Sequence, residues 1–292
     1  MQEYSNGELV FDVTDAGPSD GEVIVLLHGY PEDRLSWSAV IPPLTAAGYR
    51  VLAPDQRGYS PRARPEGRKA YRMDLLVDDV VALIDSAGAT RVHLVGHDWG
   101  GGVAWGLAMS HPERLYSVTS LATPHPQAML RAMGTSGQLL RSWYMLVFQL
   151  PRLPELSLRG AGRTQTAKTL QKSGLAADKV DRYLARFDEP GAATAAINWY
   201  RGIPFGLRSA AGAVQVPTLY IYATGDFALG RKAADLTGRY VAGPYRYEVL
   251  DGVSHWIPEE EPSRVAELVL DHVRAHGGAS SASAPAPRQP AG

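Results

Sequence analysis

The sequence around residue 98 reads Arg91-Val92-His93-Leu94-Val95-Gly96-His97-Asp98-Trp99-Gly100-Gly101. Its first half is an apolar run typical of a buried β-strand, and residues 100–109 continue as a predicted helix. A single acidic side chain, Asp98, lies between them, with one glycine two positions before it and another two positions after it. This pattern predicts a nucleophile elbow, a strained strand-to-helix turn that projects one side chain beyond the sheet.

The carboxylate at the apex restricts the chemistry. A serine must lose a proton before it attacks a carbonyl, whereas a carboxyl group with a pKa of about 4 is already ionised at neutral pH. Such a carboxylate can displace a leaving group from a saturated carbon, and the ester that results can be cleaved by water. Asp98 therefore points to substrates with an electrophilic sp³ carbon, such as epoxides or alkyl halides. Taken alone, Asp98 also fits a helix N-cap. Other motifs in the chain are needed to distinguish an N-cap from a nucleophile.

Composition excludes several classes of function. The chain has 292 residues, of which 45% are hydrophobic, and a formal net charge of −1. This length suits one large α/β domain with an inserted lid, or two small domains. The balanced charge argues against nucleic acid or an anionic membrane as the main partner. The absence of cysteine excludes disulfides and thiol catalysis.

No segment of the sequence indicates export or a membrane span. The N-terminal residues lack a basic region followed by an apolar run, so we expect no signal peptide. The longest apolar helical stretch, residues 139–150, is too short to cross a bilayer. We therefore expect a cytoplasmic protein with no membrane partner.

Strands alternate with helices along most of the chain. We predict strands at residues 23–27, 51–53, 91–97, 115–121, 217–222 and 245–250, and an antiparallel edge strand at 9–13. Predicted helices cover residues 36–47, 71–87, 100–109 and 258–274. This alternation predicts an α/β fold with a mostly parallel, twisted sheet flanked by helices.

The alternation stops in the middle of the chain. No strand is predicted between about residues 124 and 214, where helices are expected at 139–150, 178–187 and 192–200. We therefore predict a core of residues 1–124 and 214–276, and an all-helical lid of residues 125–213 inserted into it. Residues 277–292 are rich in Ala, Ser, Pro and Gly, which predicts a disordered tail.

Three polar residues each follow a predicted strand: Asp98, Asp226 and His255. Because the carboxyl ends of parallel strands meet at one edge of a sheet, these side chains are expected to lie together. Their order along the chain, nucleophile then acid then histidine, is that of the α/β-hydrolase triad. In such a triad Asp226 orients the His255 imidazole. Considered singly, Asp226 could also cap a helix, and His255 could be a structural loop histidine. The occurrence of all three residues after strands favours the triad.

An oxyanion hole is expected beside the triad. In this architecture one donor comes from the loop after an early central strand, here His28-Gly29-Tyr30-Pro31. We assign the backbone N–H groups of Tyr30 and Trp99 as the two donors. We interpret His28 as a structural loop histidine rather than as a catalytic base.

At these motifs the chain resembles the α/β-hydrolase-fold epoxide hydrolases, over about residues 9–274. The two motifs around Tyr30 and Asp98 are shared with haloalkane dehalogenases, so they indicate the superfamily only. Epoxide hydrolases of this kind carry two lid tyrosines that bond the epoxide oxygen. One lies in Tyr-x-Leu-x-Phe-Gln, matched by residues 144–149, and the other in Asn-Trp-Tyr-Arg, matched by residues 198–201. The resemblance implies that Tyr144 and Tyr200 donate to the epoxide oxygen, although Met145 stands where the family often has Gln.

The resemblance implies hydrolysis of an apolar epoxide to a vicinal diol through an ester on Asp98. It implies a small-molecule substrate and no metal or organic cofactor, and it is compatible with a homodimer. One alternative is a haloalkane dehalogenase, with Trp99 as one halide donor and Trp143 or Trp199 as a second. Another alternative is a non-hydrolytic ligand-binding or biosynthetic relative that keeps the fold.

Overall fold

A computed structural model describes residues 1–206 and 212–278. One sheet contains eight strands: β1 (Glu3–Asn6), β2 (Leu9–Ala16), β3 (Val23–Leu27), β4 (Arg50–Pro54), β5 (Val92–His97), β6 (Leu115–Leu121), β7 (Thr218–Ala223) and β8 (Tyr245–Leu250). Their order is β1-β2-β4-β3-β5-β6-β7-β8. The β1–β2 and β2–β4 pairs are antiparallel, and the pairs from β4 to β8 are parallel. The predicted α/β fold with a mostly parallel sheet is confirmed.

Helices in the first part of the chain are α1 (Ile41–Ala46), α2 (Met73–Ser86) and α3 (Trp99–Ser110). Between β6 and β7 lie α4 (Pro126–Thr135), α5 (Gln138–Arg141), α6 (Trp143–Val147), α7 (Leu153–Leu158), α8 (Gly160–Lys172), α9 (Ala177–Arg186) and α10 (Ala192–Gly202). The last three helices are α11 (Arg231–Thr237), α12 (Ile257–Glu260) and α13 (Pro262–His276). Short 3₁₀ turns join several of these elements.

The central strands are buried on both faces of the sheet. In β3, Val23, Val25 and Leu27 belong to one apolar cluster, and Ile24 and Leu26 belong to the other. Successive side chains of a strand point to opposite faces, so a strand covered by helices on both sides must be apolar at every position. This explains the uninterrupted apolar run that predicted the strand.

Prolines move several helix boundaries away from the predicted ones. The helix predicted over residues 36–47 is a 3₁₀ turn (Arg34–Trp37) followed by α1, which has proline in its first turn. The helix predicted over 258–274 is likewise divided, because α13 begins at Pro262. Proline lacks the N–H that an interior helical position must donate, so it is tolerated only in the first turn and a new helix begins there.

Two further predictions need correction. The strand predicted at residues 9–13 is antiparallel, as expected, but it is not an edge strand, because β1 pairs with its outer side. In the inserted segment α4, α7 and α8 were not predicted. Pro126 is the first residue of α4, and the side chain of His125 caps this helix by accepting the Gln127 N–H.

The inserted segment contacts the core through buried ion pairs. Arg186 of α9 lies 2.9 Å from the carboxylate of Asp55 and 3.4 Å from that of Asp33. Within the described residues of the insertion no strand is present. Residues 207–211 of the predicted lid and 279–292 of the predicted tail lie outside the described residues. Gly278 is described, and its N–H donates to Glu22.

In the part of the chain that the structure describes, no helix combines the length and apolarity that a bilayer span requires.

Candidate active site

The predicted elbow lies between the central strand β5 and helix α3. Asp98 has φ 48° and ψ −117°, outside the regions that L-residues normally occupy. Such a backbone costs about 1–3 kcal/mol, so the surrounding structure has to enforce it. Asp98 occupies the N-cap position of α3, but its side chain makes no capping hydrogen bond, so capping does not explain the carboxylate.

Crowded backbone explains the glycines around Asp98. A Cβ atom at Gly96 would lie 2.2 Å from the backbone oxygen of Gly100. A Cβ atom at Gly100 would lie 2.2 Å from the backbone oxygen of Leu27. Real Cβ atoms do not approach oxygen so closely, so only glycine allows strand, turn and helix to pack this tightly.

Asp98, Asp226 and His255 come together at the carboxyl edge of the sheet. The Nδ1 atom of His255 lies 2.7 Å from Oδ2 of Asp226, and its Nε2 atom lies 3.5 Å from Oδ2 of Asp98. The other oxygen of Asp226 accepts the backbone N–H groups of Ala228 and Leu229, at 2.7 and 2.9 Å. The carboxylate of Asp226 is therefore held in place from both sides, and it fixes the orientation of the imidazole ring.

The charged groups of Asp98, Asp226 and His255 shift the pKa values of their neighbours. Burial alone would lower the pKa of His255, but the charges and hydrogen bonds of Asp226 and Asp98 raise it well above its usual value. Burial alone would raise the pKa of Asp98, but the hydrogen bond and charge of His255, the charge of His97 and the Tyr30 N–H lower it. At neutral pH the resting site therefore contains an ionised Asp98 beside a protonated His255.

Of the two predicted oxyanion donors, the Tyr30 N–H already points at the carboxylate. It donates to Oδ1 of Asp98 at 2.9 Å. Trp99 is the first residue of α3, so its N–H has no earlier carbonyl of the helix to bond. His28 is fully buried, and its Nε2 accepts the Gln56 N–H at 3.1 Å, which is a structural contact.

Sequence interpretation missed a second pair of charged residues below the triad. His97 and Glu32 are both fully buried, and His97 Nδ1 lies 2.8 Å from Oε2 of Glu32. The other ring nitrogen of His97 lies 2.8 Å from the backbone oxygen of His255. The sequence did contain a signal for this pair, because Glu32 directly follows Pro31 of the oxyanion loop and His97 directly precedes Asp98.

A cavity of about 250 Å³ opens above Asp98. Tyr144 of α6 and Tyr200 of α10 line it together with Asp98. Most other lining side chains are apolar, among them five of the six methionines: Met73, Met109, Met129, Met133 and Met145. Methionine is flexible and polarisable, so this lining suits apolar ligands of varied shape.

The two tyrosines are neighbours in this cavity. Their ring centroids lie 6.0 Å apart, with the ring planes at 78°. Burial, followed by the nearby carboxylate of Asp98, raises the pKa of Tyr144 above its usual value. Burial also raises the pKa of Tyr200. Both phenols therefore stay protonated at neutral pH and can act as hydrogen-bond or proton donors.

The tryptophans that a dehalogenase would need as a second halide donor are not available. The indole N–H of Trp199 donates to the backbone oxygen of Arg57 at 2.7 Å. Trp143 is 63% exposed, and it does not line the cavity. Trp99 lines the cavity, so only one of the candidate halide donors can contribute.

Known proteins with similar sequences and structures identify the family of the chain. The alpha/beta hydrolase fold family matches residues 22–262. The AB hydrolase superfamily protein YfhM of Bacillus subtilis is 40% identical over 276 residues, which cover 92% of this chain and 96% of that protein. Epoxide hydrolase A of Mycobacterium tuberculosis is 33% identical, with 89% of this chain and 92% of that protein covered.

Among solved structures, Epoxide Hydrolase A from Mycobacterium thermoresistibile superposes with a TM-score of 0.80 at 28% identity, covering 94% of this chain and 98% of that one. Sequence and structure therefore agree that the chain belongs to the α/β-hydrolase fold family and, within that family, to the epoxide hydrolases.

Proposed function

We propose that the protein hydrolyses an apolar epoxide to a vicinal diol through a covalent ester on Asp98. The observation that carries the proposal is an ionised carboxylate in the same apolar cavity as two protonated tyrosines. A nucleophile and acid groups that share one small cavity suit a strained ether, whose carbon is attacked while its oxygen gains a proton.

In the first step Asp98 attacks one epoxide carbon. The new bond joins a carboxylate oxygen to that carbon, and the ring C–O bond breaks with its electron pair remaining on oxygen. Tyr144 and Tyr200 donate hydrogen bonds to this oxygen, and one of them supplies the proton. The phenolate that remains takes a proton back from His255, which is protonated in the resting site.

Esterification of Asp98 itself makes His255 a base. The Asp98 carboxylate is one of the two groups that raise the pKa of His255. An ester carries no charge, so the pKa of His255 falls once the ester forms, and the ring can hold a lone pair at neutral pH. The chemistry of the first step therefore prepares the base for the second.

In the second step His255, held by Asp226, takes a proton from water, and the resulting hydroxide adds to the ester carbonyl. The N–H groups of Tyr30 and Trp99 stabilise the oxyanion. Collapse breaks the bond between the carbonyl carbon and the alkyl oxygen, and the proton of the added hydroxyl moves to that alkyl oxygen. The diol leaves, and Asp98 is again a carboxylate.

We infer that helices α4–α10 form the lid, because α6 and α10 bring Tyr144 and Tyr200 over the carboxyl edge of the sheet. Water exclusion by such a lid strengthens hydrogen bonds to a developing alkoxide.

A product assay tests the proposal. Purified protein is incubated with a panel of apolar epoxides and with haloalkanes of matched size, and diol and halide are both quantified. We expect diol from the epoxides and little halide. Halide release without diol formation would replace the proposal with the dehalogenase alternative, and turnover of neither class would favour a non-hydrolytic relative.

A further inference from the structure

Helix α6 is apolar on every side. Residues 143–148 are six consecutive apolar or aromatic residues, Trp143-Tyr144-Met145-Leu146-Val147-Phe148. Tyr144 and Met145 line the cavity, whereas Trp143 is 63% exposed and Leu146 is 71% exposed. A helix that is apolar all round is normally buried on all sides. The outer face of α6 is exposed instead, so its sequence predicts a contact that the described residues of the chain do not provide.

Exposed apolar side chains also flank α6 along the chain. Among residues 1–206 and 212–278, twelve large hydrophobic residues are exposed, and eight of them fall in residues 126–158, which contain α4–α7. We call them the lid patch: Leu130, Leu139, Leu140, Trp143, Leu146, Leu150, Leu153 and Leu156. Apolar side chains concentrated in this way mark an interaction surface rather than the scattered exposure that any protein shows.

Polar groups of the same segment are satisfied on its inner side. Arg201 of α10 donates to the backbone oxygens of Phe148 and Leu150 and pairs with Glu155 at 2.6 Å. This side chain holds the linker between α6 and α7 from below. The leucines are therefore presented outward by a fixed backbone.

Charge distribution indicates what covers the lid patch. Residues 126–158 contain three arginines, Arg131, Arg141 and Arg152, and one acidic residue, Glu155, which Arg201 neutralises. Within the described residues none of these three arginines has an ion-pair partner, although the guanidinium of Arg141 donates to the backbone oxygens of Asp226 and Phe227, at 3.1 and 3.2 Å. Each lies directly beside a leucine of the lid patch in sequence.

We propose that the lid patch docks on the surface of an anionic lipid bilayer. Leucine and tryptophan side chains enter the boundary between headgroups and acyl chains, and arginines between them meet anionic headgroups. The formal charge of −1 that argues against such a partner is an average over the whole chain, and it conceals a cationic lid segment. The proposal concerns docking on the surface, so it needs no membrane-spanning helix.

A second copy of the chain fits the lid patch less well. The core of a dimer interface is depleted in charged residues. In a two-fold symmetric dimer the same surface meets itself, so unpaired arginines of both copies would be brought together without acidic partners. A bilayer with anionic headgroups supplies those partners.

The lid patch is continuous with the cavity. Leu130 is 58% exposed and also lines the cavity, and α6 contributes to both surfaces. A docked protein would therefore open its cavity toward the bilayer, where apolar epoxides dissolve. Docking itself does not depend on the proposed reaction and can fail or succeed independently of it.

Vesicle co-sedimentation of the full chain tests the proposal. The vesicles are phosphatidylcholine alone or mixed with phosphatidylserine. We expect the wild type to sediment with the anionic vesicles several-fold more than with neutral ones, and less at high salt. The double variant Leu140→Ser/Leu146→Ser should lose binding to both. The double variant Arg131→Gln/Arg152→Gln, which spares Arg141 and its contact with the Asp226 backbone, should lose the preference for phosphatidylserine.

Leu35→Ser is the matched control, because Leu35 is an exposed leucine (42%) outside the lid. It should bind as the wild type does. If the leucine double variant does not fold, quenching of tryptophan fluorescence by brominated lipid replaces it, with Trp143→Phe as the variant that should lose the quenching.

Three results would overturn the proposal. They are no sedimentation of the wild type above a lipid-free control, equal sedimentation of the wild type and the arginine double variant, and a dimer in sedimentation velocity that the leucine double variant dissociates. The last result would assign the lid patch to a second copy of the chain. Diol formation from a small water-soluble epoxide, measured in parallel, keeps these outcomes separate from failure of the proposed reaction.

Discussion

His97 supports His255 from below: its Nε2 atom lies 2.8 Å from the backbone oxygen of His255. Its Nδ1 atom lies 2.8 Å from Glu32. Burial opposes charge on both partners, but their mutual attraction and hydrogen bond raise the pKa of His97 and lower that of Glu32. An oxygen acceptor faces each ring nitrogen of His97, so both nitrogens act as donors and Nε2 donates to the loop that carries the proposed base.

Glu32→Gln should impair the second step more than the first. The glutamine keeps the shape of the side chain, but it removes the charge that holds the proton on His97, so the His255 loop loses a charged donor. Removing one partner of a buried ion pair costs about 3–5 kcal/mol of stability, and the retained amide should keep the loss at the low end. Thermal denaturation measures the stability, and pre-steady-state kinetics measure the two steps separately. Unchanged ester hydrolysis in a destabilised variant would mean that the pair is only structural.

Asp98→Ala and His255→Gln should fail at different steps. Alkylation of Asp98 needs no base, whereas hydrolysis of the ester does. We expect no turnover from Asp98→Ala, and a stable covalent adduct on the peptide holding Asp98 when His255→Gln is incubated with an epoxide. Intact-protein and peptide mass spectrometry detect the adduct. Adduct on another residue, or full activity in Asp98→Ala, would contradict the ester mechanism.

A single turnover in heavy-oxygen water should place the label in the enzyme. Water attacks the carbonyl carbon of the ester, so the new oxygen of the diol comes from the Asp98 carboxylate. With enzyme in excess over epoxide we expect label in the Asp98 peptide and unlabelled diol. Immediate label in the diol would mean that water attacks the epoxide directly and that Asp98 acts as a base.

The two steps should depend differently on pH. The lowered pKa of Asp98 keeps the nucleophile ionised well into the acidic range, so alkylation should stay fast there. Hydrolysis requires His255 without its extra proton, and Asp226 still raises the pKa of this ring in the ester, so the rate should fall as pH is lowered. We therefore expect a burst of enzyme ester at low pH, measured by rapid quench. A burst that grows with rising pH would contradict the assignment of His255 as the base of the second step.

The local signals in the sequence were enough to predict the buried strands and the meeting of Asp98, Asp226 and His255. Each of these residues follows a strand. Because the carboxyl ends of parallel strands lie at one edge of a sheet, their positions after the strands were enough to predict that the three side chains meet. Buried strands such as β3 were recognisable because both faces of the sheet are covered.

Contacts between distant segments were much harder to predict. Nothing local ties Glu32 to His97, which is 65 residues away, and their pairing depends on how β3 and β5 lie side by side. Helix α8 was missed because its sequence, Gly-Ala-Gly-Arg-Thr-Gln-Thr-Ala-Lys-Thr-Leu-Gln-Lys, has few apolar residues to reveal a period. The outward exposure of Trp143 was also not predictable, since an apolar run gives no sign of which face the fold leaves uncovered.

Substituting the two cavity tyrosines separates an epoxide hydrolase from a dehalogenase. Phenylalanine at Tyr144 or Tyr200 removes one donor and keeps the ring and its packing. Loss of one donor to a developing oxyanion typically costs roughly 10²–10³ in rate, about 2.7–4 kcal/mol. Because two donors to one oxygen partly replace each other, each single variant should fall at or below the low end of that range.

The double variant Tyr144→Phe/Tyr200→Phe should be far slower with epoxides than either single variant, because an alkoxide without a proton is a very poor leaving group. A halide leaves as a weakly basic anion and needs no proton, so a dehalogenase should tolerate both changes. The measurement is turnover of epoxides and haloalkanes by the wild type, both single variants and the double variant. Phe148→Leu is the control for packing behind the tyrosines, because the Phe148 ring lies 5.7 Å from that of Tyr144 and 4.7 Å from that of Tyr200. Haloalkane turnover that survives the double change, with no epoxide turnover in the wild type, would show that the tyrosines serve packing and that Asp98 displaces halide instead.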